Sequence, residues 1–324
     1  MPSSRLLLKS SSIALLVLGL ALAANAQNTG LGYSPSAQSG PNFAPRSAGA
    51  AETLDIPALK KRANKGDVKA EFILGESYYN GAGGVQQDLA QAAAYFQKAA
   101  EQGNAEAQFY YGIMNFNGQG IPQNSAQAAA WYRKAADQGE VEAQYSLASM
   151  YVEGQGIPQD SAQAAVWYRK AADQGLAFAQ YNLGLLYDLG EGVPQDSAQA
   201  AAWYRKAADQ DFAEAESNLG FLYAHGEGVS QNFGQAANWF RKAAEKGNAQ
   251  AQYNLGYAYA KGEGVQQDTA EAYFWIDLAS KGVIGGTKDA DVAKARDAAA
   301  SHLTAEELAR TQARVGKWLE AHPG

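Results

Sequence analysis

Six aromatic residues recur at intervals of 36 along the chain: Tyr95, Trp131, Trp167, Trp203, Trp239 and Trp275. A fixed period of this length is the mark of a solenoid, in which each repeat is one supersecondary unit that buries its core against its neighbours. The period limits the fold before any single residue is read. It also moves the expected activity from catalysis toward binding along an extended surface.

Each period reads as two helices. The first shows Ala143, Leu147, Ala148 and Tyr151, then Ala179, Leu183, Gly184 and Tyr187 one repeat later. Residues at i, i+4, i+5 and i+8 share one helix face, and the small members let a neighbouring helix come close. A string such as Gly118-Gln119-Gly120-Ile121-Pro122 ends that helix, because glycine accepts left-handed backbone angles and proline keeps the connection extended. The second helix opens at a capping-box pattern: Asp88 with Gln91, Asn124 with Gln127, Asp160 with Gln163, Asp196 with Gln199, Asn232 with Gln235 and Asp268 with Glu271. Bulky Trp131 and Tyr132 set against Ala128, Ala135 and Ala136 suit interhelical packing. Gly139 ends this helix, as do Gly103, Gly175 and Gly247; Asp211 breaks the series, and local strain is expected there. None of the nine Pro falls inside an expected helix, and Pro57 suits a first turn.

The recurring pattern, best seen in AQYNLGLLYDLGEGVPQDSAQAAAWYRKAADQD over Ala179 to Asp211, resembles the Sel1-like repeat, a relative of the tetratricopeptide repeat. The similarity covers about two-thirds of the chain. Asn115 departs from it where other repeats have Tyr, and the first repeat carries one extra loop residue near Gly81-Ala82-Gly83-Gly84. The resemblance implies an all-α, right-handed superhelical α-solenoid. It also implies adaptor or scaffold activity, in exported bacterial members for envelope machinery, polysaccharide export or contact with host cells. It implies no catalytic residues and no cofactor.

The flanks complete the expected organisation. Met1 to Ala26 reads as a secretory signal: Arg5 and Lys9 lead, Ile13 to Ala24 is apolar, and Ala24-Asn25-Ala26 is a cleavage site. The apolar run is short for a membrane span, so no transmembrane segment is expected in the mature chain. Residues 27–51, rich in Gly, Ser, Pro, Asn and Ala, read as a flexible linker. The solenoid is assigned to 52–282 and two capping helices to 283–324, over Asp289 to His302 and Thr304 to Glu320. Leu308, Val315, Trp318 and Leu319 are the expected cover for the last repeat.

Composition excludes several chemistries. There is no Cys, hence no disulfide, thiolate ligand or cysteine nucleophile. Removal of the signal takes Arg5 and Lys9 with it and moves the formal charge from −7 to −9. An acidic exported chain is a poor nucleic-acid binder. His225, His302 and His322 lack a second ligand at metal spacing and are expected to be solvated; no metal or cofactor is expected. The Gly-x-Gly strings follow helices rather than strands and read as structural. Glu153, Glu191, Glu227 and Glu263 are spread over separate repeats, with nothing to make two converge in one cleft. The pairs Arg133-Lys134, Arg169-Lys170, Arg205-Lys206 and Arg241-Lys242 are expected on a solvated outer face. The Trp series is expected in the core.

The informative variation lies elsewhere. The second helices are nearly identical, SAQAAAWYRKAADQ against SAQAAVWYRKAADQ, whereas the first helices differ from one another. In the related tetratricopeptide fold the first helix lines the concave groove. Carried over, this places Tyr181 and Tyr253 on one stripe, with Leu185, Phe221 and Tyr257 one turn on, and Asn182, Asn218 and Asn254 beside them. The carboxamides would bond an extended backbone, and the larger residues would take apolar side chains. A protein or peptide partner is the first expectation; envelope polysaccharide or peptidoglycan is the alternative.

Overall fold

The computed structural model describes residues 54–282 and 290–322. The expected signal sequence, the linker and residues 283–289 lie outside the described residues. The chain forms two compact units divided at Gln195 and Asp196. Among the described residues there are fifteen helices and no strand.

In the N-terminal unit, α1 (Ile56–Ala63) precedes three helix pairs. These are α2 (Val68–Asn80) with α3 (Leu89–Glu101), α4 (Ala105–Asn117) with α5 (Ser125–Asp137), and α6 (Val141–Glu153) with α7 (Ser161–Asp173); α8 (Ala177–Leu189) follows. Pro57 stands in the first turn of α1, where its missing N–H costs nothing. Close pairing within a repeat depends on the small residue of the first helix. A Cβ on Gly112 would lie 2.7 Å from the ring of Tyr132. Tyr95 and Trp131 are partly buried and pack on a core built from Leu74, Phe96 and Met114.

The C-terminal unit repeats the plan with α9 (Ser197–Ala208), α10 (Ala213–His225), α11 (Phe233–Glu245), α12 (Ala249–Lys261) and α13 (Thr269–Ala279). It closes with α14 (Ala290–Ala300) and α15 (Ala305–Ala321). Val315 is buried and Trp318 half-buried, packed on Phe274, Trp275 and Leu278 of α13. Arg314 adds an ion pair to Glu271 at 2.7 Å. Leu319, expected to join this cover, is 37% exposed. The Trp series is core as expected at Trp167, Trp203, Trp239 and Trp275, all buried.

The loop between the helices of a repeat is held three ways. First, the Asp or Asn at the start of each second helix accepts from the backbone N–H three residues on, as Asp160 does from Gln163 at 3.0 Å. The reciprocal capping box is closed at Thr304 and Glu307. Second, the Gln just before the cap donates to a carbonyl at the end of the first helix. Gln159 reaches Val152 O at 2.8 Å, and Gln87, Gln123, Gln195, Gln231 and Gln267 repeat the contact. This satisfies an acceptor that the helix end leaves open. Third, the second glycine of each Gly-x-Gly string packs on the preceding repeat. Gly156 has φ +72°, and a Cβ there would stand 2.4 Å from the backbone of Ser125.

The Arg-Lys pairs differ from expectation. The lysines are exposed, but each lies over the Trp three residues earlier, with Lys170 Nζ 3.7 Å from the Trp167 centroid. The arginines are half-buried and bond the tyrosine hydroxyl of the next first helix. Arg133 meets Tyr151, Arg169 meets Tyr187, Arg205 meets Tyr223, and Arg241 meets Tyr259 at 3.1 Å. The guanidinium is weakly hydrated and its stem is apolar, so it fits a seam between repeats that an ammonium would leave.

Candidate functional site

The variable first helices carry the candidate site, and its features are distinct in the two units. In the N-terminal unit, Tyr181 and Asn182 on α8 are half-buried. The Asn182 carboxamide donates to Phe178 O at 2.9 Å and to the Tyr145 hydroxyl at 3.4 Å, so part of its capacity is used within the unit. Leu185 is buried at 6% exposure and packs inward.

The same unit gathers carboxylates around Tyr110. Burial raises the Tyr110 hydroxyl's pKa above its usual range, and Glu76, Glu106, Glu142 and Glu140 raise it further. Burial, with Glu106 nearby, pushes Glu76 up to about 7. Burial alone pushes Glu153 up to about 7, and its Oε1 is buried without a hydrogen-bond partner among the described residues.

In the C-terminal unit, α10, α11 and α12 enclose a cavity of about 290 Å³. Phe221, Phe233, Phe240, Tyr253 and Tyr257 give it aromatic walls. His225, Gln231, Asn254 and Glu263 supply its polar lining. Of the expected residues, Phe221, Asn254 and Tyr257 are half-buried here, and Tyr253 is 9% exposed yet still reaches the cavity. Asn218 is half-buried on α10 and outside the cavity lining. Asn254 accepts from Gln250 at 3.3 Å. Burial, then the Glu263 carboxylate, raises the Tyr257 hydroxyl's pKa.

Besides alanines, five cavity residues are not among those expected from sequence to bind: His225, Gln231, Phe233, Phe240 and Glu263. His225 is not a solvated side chain. It is half-buried, its ring lies 4.0 Å from that of Phe221, and Nδ1–H donates to Phe221 O at 2.8 Å. The usable signal is departure from the chain's own period. Phe233 stands where Ser125, Ser161 and Ser197 open three of the other second helices, and Phe240 where Tyr132, Tyr168 and Tyr204 occur; the first repeat has Leu89 and Phe96 at these two positions. His302 is exposed, and exposed His322 stacks on Trp318 at 4.0 Å.

The buried Trp rings offer no open platform for a sugar. Trp167, Trp203 and Trp239 each have a lysine ammonium 3.7 to 4.3 Å from the ring centroid, in addition to their burial.

Comparison with known proteins agrees with this architecture. The model of the Sel1 repeat matches six successive segments: 68–104, 105–140, 141–176, 177–212, 213–248 and 249–282. The crystal structure of c5321, a protective antigen of uropathogenic Escherichia coli with an SLR fold, is 36% identical with a TM-score of 0.72. The match covers 83% of this chain and 57% of that one. A Sel1 repeat protein from Oxalobacter formigenes is 32% identical with a TM-score of 0.59, over 69% of this chain and 90% of that one. Among curated proteins, the ERAD-associated E3 ubiquitin-protein ligase component HRD3A of Arabidopsis thaliana is 36% identical over 62 residues. That stretch is 19% of this chain and only 9% of the relative.

Proposed function

Because the chain belongs to the Sel1 repeat family, we propose that it is an exported, non-enzymatic scaffold that holds a protein or peptide partner on the faces of its first helices. Sel1 repeats generally serve as protein-interaction scaffolds. The observation that carries the proposal is the contrast within each repeat. The second helices are alike because one face packs Trp and Tyr while their Arg and Lys are engaged by the neighbouring aromatics. The first helices differ from one another, and Tyr181, Phe221 and Tyr257 among the differing residues are half-exposed, with the recurring Asn182, Asn218 and Asn254 half-exposed beside them. Half-exposed side chains that vary on a rigid frame suit recognition by a pre-organised surface, which lowers the ordering cost of association.

Export rests on the signal-like start, with Arg5, Lys9 and the site at Ala26. No helix among the described residues is long and apolar enough to cross a membrane. The likeness to c5321, a protective antigen, favours a role at the cell envelope or toward a host. N-terminal sequencing of the mature protein tests the cleavage.

Binding is tested by crosslinking and co-purification from envelope extract. Asn182→Ala probes the N-terminal unit, and Asn218→Ala with Asn254→Ala probes the C-terminal unit. Ala130→Arg, on the exposed face of a second helix, is the control. Reduced capture of one reproducible partner by an Asn variant, with Ala130→Arg unaffected, supports the assignment. The opposite pattern would move the partner to the second helices.

A further inference from the structure

We propose that the cavity enclosed by α10, α11 and α12 receives one aromatic side chain of an extended peptide segment, and that Glu263 pairs with a basic residue beside it. This deepens the reading of the first helices as the partner-binding surface and rests on it. The volume, about 290 Å³, falls just below the roughly 300–1,000 Å³ usual for small-molecule sites. It suits a single ring system and not a large cofactor. Rings lining a cavity favour another ring, which can meet them edge-on or offset.

The internal repeats supply an independent argument. In one repeat of the N-terminal unit the positions equivalent to Phe221 and Phe240 are Ser149 and Tyr168, whose hydroxyls lie 3.0 Å apart in the buried seam. Phe221 and Phe240 cannot make that hydrogen bond. Phe233, which replaces a serine at the start of its helix, is left 37% exposed beside the cavity. Phe221, Phe233 and Phe240 thus meet at one place, and Phe233 keeps part of a large apolar side chain in water. A segment that covers Phe233 would remove that surface from solvent.

The polar lining sets the rest of the ligand. Asn254 and Gln231 present carboxamides able to meet a peptide backbone, which needs both donor and acceptor. Glu263 is the carboxylate among the lining residues. Lys261 already places its ammonium 5.8 Å from the Tyr257 centroid, so this rim tolerates a cation next to the rings. An acidic neighbour in the ligand would instead face Glu263.

The test uses the full chain and a capped glycine pentapeptide with tryptophan at its centre followed by lysine. Controls carry serine for the tryptophan or glutamate for the lysine. Affinities are read by NMR titration. The tryptophan–lysine peptide is expected to bind about tenfold more tightly than either control. Phe221→Ser with Phe240→Tyr, which copies the Ser149 and Tyr168 pair, is expected to lose that advantage while melting as a folded protein. Ala258→Leu fills the cavity by a second route and is expected to act likewise. Glu263→Gln should abolish the preference for lysine over glutamate while retaining that for tryptophan over serine. No binding, or equal binding by wild type and both cavity variants, would overturn the inference. The scaffold reading would then still stand or fall on partner capture by the Asn variants, which is measured separately.

Discussion

Lys246 Nζ lies 2.8 Å from the Glu216 carboxylate, whose side chain is 0% exposed. In two other repeats the same contact is neutral, Gln138 donating to Gln108 at 2.8 Å and Gln174 to Gln144 at 2.9 Å, and in the first repeat Gln102 donates to the Glu71 carboxylate at 2.6 Å. One repeat has therefore exchanged a carboxamide pair for an ion pair. Lys246 also reaches Asp211 O and Oδ1, each at 3.0 Å, and Asp211 is the residue with φ 64° that breaks the glycine series. The strain expected at Asp211 is therefore accompanied by one contact, to Oδ1, that a glycine could not supply; the contact to the backbone oxygen is one that Gly139 also offers, to Gln174. Burial opposes the charge on Lys246, but its bonds to Glu216 and Asp211 outweigh that and hold its pKa above the usual value.

Lys246→Gln removes the charge that faces a buried carboxylate but leaves it a neutral donor, as Gln102 is to Glu71. It is expected to destabilise the protein by about 1 kcal/mol. The double change Glu216→Gln with Lys246→Gln recreates the neutral pair and should recover most of the loss. Urea melts of the four proteins form the cycle that checks it. Equal losses in the single and double variants would show that the ion pair is not the source.

The glycines of this chain should not be equivalent. Gly139 has φ +96° with nothing within 4 Å of a built Cβ, whereas Gly156 combines φ +72° with backbone 2.4 Å away. Gly139→Ala carries backbone strain alone, about 1 kcal/mol. Gly156→Ala must also separate two repeats and should cost clearly more. Thermal melts of the two variants compare them directly.

Stability should depend on pH through Glu76 and Glu153, both raised to about 7 from 4.5. Between about 4.5 and about 7 the unfolded chain has released these protons while the folded chain retains them, so their contribution falls as pH rises. Glu76→Gln and Glu153→Gln should therefore raise the melting temperature by a few degrees at pH 8 and change little at pH 4. A gain at pH 4 alone would reverse the assignment.

The loop glutamine offers a local test. Gln159→Ala leaves Val152 O without its side-chain donor and is expected to cost about 1 kcal/mol. Amide exchange should accelerate at residues 154–160 more than elsewhere. Uniform acceleration would mean that the contact supports the whole unit and not its loop.

Much of the repeat is legible from the chain because its signals are local and recur. Small residues on the first helix, the glycine string, the Asp or Asn cap and the bulky pair on the second helix each act within a few residues. The glutamine before each cap is equally periodic, but its role depends on where the first helix ends in space. Arg133, Arg169, Arg205 and Arg241 depart from the expected solvated face for a related reason. Their hydroxyl partners lie 18 residues away, and only stacking of the repeats brings them together. The candidate site is legible only in part: Phe221, Asn254, Tyr257 and Tyr253 line the cavity, Leu185 packs inward, and His225, Gln231, Phe233, Phe240 and Glu263 enter with the structure.

Sequence by itself determined the architecture, because a 36-residue period of helix starts, stops and core residues leaves helix pairs little choice but to stack. Tertiary structure alone decided which variable side chains are spent on packing and which remain available. That choice depends on volumes and distances between helices, as when two phenylalanines replace a serine and a tyrosine around one cavity, and such distances have no signature along the chain.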